Sequence, residues 1–295
     1  MRASFEELAR SLGAAHPPRH IWQEPFESDP GYYRRLCKLD GAVPDAADLI
    51  RYVHDIRYMK LQPDLLRFLL PICLRAWRAY LFDAGSSPYG SFIEYFSAAL
   101  AARPDLPEIL GEQGWRAVAG FMRGSILDRM DEEVALRFAG MGASPYKWFD
   151  ALGSFAVIFA EVESLWTEWW RLETPGHARA ALQYLSCLMY EDAENPIFSP
   201  WTPLGGGGAP SLFETDGHIY DQGWRSENIA FLEVTLSPEY LQARLQEAAQ
   251  VLEGDESGVP QKMMADFEKH KTLLELRIQQ LSLLLLELDA SGWIL

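Results

Sequence analysis

The chain has 295 residues, 48% of them hydrophobic, enough to bury a large core as one big domain or as a domain with an appendage. Its formal net charge is -16, and the imbalance is local: residues 1–100 carry 12 basic and 12 acidic side chains, residues 101–295 carry 14 and 30. Such a surface repels phosphate backbones, which argues against a nucleic-acid partner, and attracts a basic protein.

Residues 2–12 pattern as a short amphipathic helix with no basic-then-apolar leader, so a cytoplasmic protein is expected. Prolines then break HPPRHIWQEP, whose His16 and His20 have no carboxylate or cysteine at ligand spacing. Asp29-Pro30-Gly31 begins a short helix carrying Tyr32, Tyr33, Leu36 and Cys37. Pro44-Asp45 opens a helix to about Tyr58 with Leu49, Ile50, Val53 and Ile56 inward, and Pro63-Asp64 opens the next. In that helix Pro71 shares the one polar line with Arg67, Arg75 and Arg78, which predicts a proline on the wet side bending the helix around the core. The helix ending near Ala102 is expected to bury Phe92, Tyr95, Phe96 and Leu100, and another spans Trp115 to Met130 before the acidic run Asp131-Glu132-Glu133.

Residues 146–172, YKWFDALGSFAVIFAEVESLWTEWWRL, form the longest apolar segment. At about 100° per residue, Lys147, Asp150, Ser154, Glu161, Ser164, Glu168 and Arg171 fall on one stripe, opposite Trp148, Leu152, Phe155, Phe159, Trp166 and Trp170. One central helix is the prediction. Three glutamates in its length argue against a membrane span. Glu163 projects from the aromatic face between Phe159 and Trp166, which makes it a candidate buried carboxylate, as an acid or base or in a structural ion pair.

A helix over residues 177–190 follows and ends in Glu191-Asp192-Ala193-Glu194, where carboxylates oppose the helix dipole and suggest a use for a cation or basic partner. Residues 196–236 are rich in proline and glycine, with an expected small β-hairpin between HIYDQGW and NIAFLEVTL. The glycine run lacks the lysine and spacing of a phosphate loop. Ser237-Pro238-Glu239 starts a helix, and Pro260 opens a last one whose Phe267, Leu274, Ile278, Leu281, Leu285 and Leu288 repeat like a coiled-coil seam. The two predict an antiparallel hairpin, and residues 260–295 offer a surface for a homo-oligomer.

Nucleophile elbows, paired-histidine helices, calcium loops and cysteine zinc spacings are missing, so neither a metal nor a cofactor is expected. Cys37, Cys73 and Cys187 are too scattered for a disulfide framework. The fold expected is mostly α: a multi-helix body over 1–195, the irregular insert over 196–236 and a helical hairpin over 237–295. The function expected is a protein-binding protein for a basic partner, of the immunity type that neutralises a toxin, through Glu191, Asp192, Glu194, Glu214, Asp216 and Asp221. Two other readings stand beside it: an enzyme with an acidic pocket around Glu163, and a scaffold self-associating through its terminal helices.

Overall fold

Asp45, Thr174 and Ser237 each accept from a backbone N–H at the start of a helix. A computed structural model describes residues 5–13, 16–29, 31–39, 44–82, 90–136, 147–190, 194–197, 223–281 and 285, and among these it is helical with no strand. The chain divides into two units, Met1–Ser125 and Ile126–Leu295.

The first unit contains α1 (Phe5–Ser11), α2 (Gly31–Cys37), α3 (Ala46–Tyr58), α4 (Pro63–Phe82), α5 (Gly90–Ala101) and most of α6 (Leu106–Asp131). Asp45 caps α3 by accepting from the N–H groups of Ala47 and Asp48. Leu49, Val53 and Ile56 of α3 are buried, as their spacing requires. Helix α3 packs on α2 and α5, and α4 on α1 and α5. Near the start of α6 the backbone turns through Gly111, whose φ of 75° favours glycine and kinks the helix there.

Two expectations for this unit change. Pro71 is buried within α4 although Arg75 on the same line stays exposed, its guanidinium 3.8 Å from the Phe5 ring of α1, while Arg67 donates to the Ile109 carbonyl at 2.7 Å. Tyr95 of α5 is exposed, while Phe92, Phe96 and Leu100 are buried.

The second unit contains the end of α6, then α7 (Lys147–Ile158), α8 (Val162–Trp169), α9 (Pro175–Met189), α10 (Ser226–Thr235), α11 (Pro238–Val251), a 3-10 turn (Gly254–Ser257) and α12 (Gly258–Gln279). Thr174 caps α9 and Ser237 caps α11, each with a proline in the first turn. Helix α9 packs on α11 and α12, which also pack on each other. At the start of α9, a Cβ on Gly176 would lie 2.0 Å from the Asp131 carbonyl oxygen, so only glycine permits that backbone approach.

The predicted central helix is two helices. Trp148, Leu152, Phe155, Phe159, Trp166 and Trp170 are all buried, as expected, but the helix breaks at residues 159–161 with no proline or glycine there. The break is completed from a distance. Asn228, at the start of α10, donates to the carbonyls of Ala156 and Phe159 at 2.8 and 2.6 Å, and its Oδ1 accepts from the Val162 N–H at 3.2 Å. A side-chain amide carries both donors and an acceptor, so one buried residue serves the C-terminus of one helix and the N-terminus of the next. Lys147 and Ser154 are buried too, so the polar stripe is not a wet face along α7.

The second half of the expected β-hairpin is helix α10. Ile229 and Leu232 within it and Leu236 just after it are buried, spaced by three and four, and the buried Asn228 anchors its first turn. The other half, residues 218–222, lies outside the described residues. Among the described residues no helix is long and apolar enough to cross a membrane.

Candidate functional site

In the second unit the α6–α7 connection is sewn to α9 and to the 3-10 turn by one arginine and two glutamates. Arg179 of α9 donates through Nε to Glu256 at 2.9 Å and through Nη1 to the Glu133 carbonyl at 2.7 Å. Glu256 accepts in turn from the Leu136 N–H at 2.8 Å. The buried Glu133 carboxylate meets Arg129 at 2.7 Å; burial raises its pKa, and Arg129 opposes that rise.

Beside this stitch lies a cleft of about 370 Å³ lined by Leu136, Pro196, Asp255, Glu256, Val259 and Lys262, among others. Its charges are largely matched. Arg179 neutralises Glu256, and Lys262 reaches Asp266 at 2.7 Å, where the Tyr190 hydroxyl also donates at 3.0 Å. Asp255 is exposed on the lip and has no charged partner among the described residues. The cleft therefore presents an apolar floor with one uncompensated carboxylate, suited to the aliphatic stem and cationic head of a lysine or arginine.

The C-terminal end of α9 is met by a cation of the same unit. Arg277 of α12 donates from Nη1 to the carbonyls of Cys187, Leu188 and Tyr190 at 2.8, 3.0 and 2.7 Å, satisfying the helix's C-terminal acceptors with a cation of the same chain. Glu194 is exposed and bound to Lys269 at 2.8 Å, which holds its carboxyl below the usual range. Glu191, Asp192, Glu214, Asp216 and Asp221 lie outside the described residues. Glu163 is exposed in the first turn of α8, which corrects its expected burial: the break at 159–161 resets the helical phase, so Val162, Leu165 and Trp166 turn inward instead.

The first unit holds a constellation that the sequence did not single out. Asp55 of α3 is fully buried and accepts from the Phe26 N–H at 2.7 Å and from the hydroxyls of Tyr33, at 2.7 Å, and Tyr32. Burial raises its pKa; these donors pull the other way. Gln62 repeats the device, with its Oε1 accepting from the Trp22 N–H at 2.8 Å and its Nε2 donating to the His20 carbonyl at 2.8 Å. Two side chains thus clamp the proline-broken segment 20–26 onto the α3–α4 region, leaving Trp22 and Phe26 facing outward. His54, the neighbour of Asp55, points away and packs edge-on against Phe26 and Tyr95. Asp48, Tyr52 and Asp55 recur at four and three on the buried side of α3, the one sequence signal that could have revealed these carboxylates.

No group of three or more histidine, cysteine, aspartate or glutamate side chains among the described residues could hold a metal ion. Set against known protein families, curated proteins and solved structures, the chain matches none of them.

Proposed function

We propose that this is a protein-binding protein whose second unit engages a basic protein partner, with neutralisation of a basic toxin or effector in the cytoplasm as its particular form. One observation carries the reading. Residues 1–125 hold 15 basic and 15 acidic side chains, while residues 126–295 hold 11 and 27, so the entire net charge of -16 belongs to the second unit. A surface so charged steers a basic protein toward it and accelerates encounter. The cleft with Asp255 at its lip supplies an anchor for one basic side chain, and Glu191, Asp192, Glu214, Asp216 and Asp221 add to the acidic excess of the same unit. Glu194 contributes less, because Lys269 already neutralises it. Helices α11 and α12, joined by the 3-10 turn, act as an antiparallel hairpin that holds the cleft's far wall.

The test is affinity capture at low salt, elution at high salt, and reconstitution of the complex from purified components. Screening weakens attraction between exposed charges, so affinity falls steeply as salt rises. Asp255→Lys should weaken the reconstituted complex about tenfold while the fold is retained. A partner whose affinity is unchanged by salt and by Asp255→Lys would exclude this reading.

A further inference from the structure

We infer that the basic partner enters the cleft of the second unit with an arginine and an adjoining apolar residue, carried on a short extended segment. This rests on the function proposed above and names the chemistry that the same site selects.

Two stretches of chain contribute most of the cleft: the connection that follows α6, with Ala135 and Leu136, and the chain between α11 and the first turn of α12, with Asp255, Glu256 and Val259. Both carry acids left without a counter-ion. Asp131 and Glu132 stand just before the first stretch, Glu253 and Asp255 belong to the second, and all four are exposed with no ion pair among the described residues. The two cations nearby are committed elsewhere, Arg179 to Glu256 and Lys262 to Asp266. A chain laid in the cleft therefore meets unanswered negative charge on both of the stretches that form it, and this complementarity favours basic residues on either side of the one that enters.

The walls are fixed before anything binds. Leu136 donates its N–H to Glu256 at 2.8 Å, Gln183 donates to the carbonyls of Ala135 and Leu136 at 3.3 Å each, and Arg179 holds the Glu133 carbonyl at 2.7 Å. Little freedom is lost on docking, so weak contacts are not spent on ordering the receptor.

Shape and lining choose the residues. The volume of about 370 Å³ lies in the range that holds a whole small ligand, so one basic side chain leaves part of it open. The open part is bounded by Leu136, Pro196 and Val259, which suit an apolar neighbour. Arginine fits better than lysine at the charged lip. Its guanidinium is planar and weakly hydrated, lies flat on apolar side chains and meets both oxygens of a carboxylate such as Asp255, whereas an ammonium must shed a tightly held water shell to sit there.

Three synthetic hexapeptides of equal charge test this against the full chain by fluorescence anisotropy at low salt: Lys-Gly-Arg-Leu-Gly-Lys, the same peptide with lysine for the arginine, and the same peptide with glycine for the leucine, each acetylated and amidated. The first should bind tightest, with each replacement raising the dissociation constant about fivefold. Asp255→Asn should weaken the first peptide about tenfold and leave the thermal midpoint unchanged, because the side chain is exposed. Equal affinity for all three peptides, or indifference to Asp255→Asn, overturns the inference. So does the absence of binding by any of them. None of these outcomes touches the broader reading, which stands or falls on the salt response of the reconstituted complex with the whole partner.

Discussion

The two units treat their carboxylates in opposite ways. The first has no net charge, yet it hides two of the three buried carboxylates among the described residues, Asp48 and Asp55. The second carries 27 acidic residues and, among the described ones, buries Glu133 against Arg129. Net charge therefore reports what a surface offers to a partner and says nothing of where acids serve the fold. In the first unit buried polar groups bind a proline-broken segment to a helix; in the second they join helix ends, as Asn228 does between α7 and α8 and Arg277 at the end of α9. Each region stays together by satisfying backbone groups that no regular element could satisfy.

The largest expected effect tests the clamp of the first unit. Asp55→Ala leaves the Phe26 N–H and two tyrosine hydroxyls without their acceptor, and should lower unfolding free energy by about 4 kcal/mol in urea titrations. A loss below about 1 kcal/mol would mean that water replaces the carboxylate and the segment is not clamped. Next comes the second unit's joint. Asn228→Ala orphans two carbonyls and one N–H and should cost about 3 kcal/mol by the same measurement. Were it to cost more than Asp55→Ala, the helix break would be the weaker point of the molecule and the ranking of the two regions would reverse.

A pH series separates the two acids within the first unit. Arg35, bonded to Asp48 at 2.6 and 2.7 Å, holds that carboxyl below the usual range, so its stabilisation is present above the ordinary carboxylate pKa and is lost as pH falls through the depressed folded value. Asp55 has the reverse sign: its raised pKa makes the ionised form unfavourable in the folded state, and that penalty disappears as pH falls. The stability advantage of the wild type over Asp48→Asn should therefore shrink on acidification, while its advantage over Asp55→Asn should grow. Parallel trends in the two series would contradict the assignment. The smallest effect belongs to Glu163→Gln, expected to change stability by less than about 0.5 kcal/mol because the side chain is exposed.

Much of the local structure could be read from sequence because its causes lie within one helical turn. Asp45 and Ser237 cap their helices with bonds to N–H groups two or three residues on, and the 3.6-residue period marked Trp148, Phe155, Trp166 and Trp170 as core. The acidic excess was equally plain, since charge is counted without coordinates. What escaped depends on groups far apart in the chain. Asn228 lies 66 and 72 residues from the N–H and the first carbonyl it satisfies, so nothing near residue 160 announces the break, and the phase that exposes Glu163 follows from that break. NIAFLEVTL reads as alternation or as a helix with equal ease until Asn228 is anchored. The cleft at Asp255 and the outward set of Phe26, Tyr58 and Tyr95 likewise arise only when separate segments meet. Periodicity and capping act locally and determined the helices; where a helix stops without a stop signal, and which acids and rings face water, is decided by partners that only the folded chain brings within hydrogen-bonding distance.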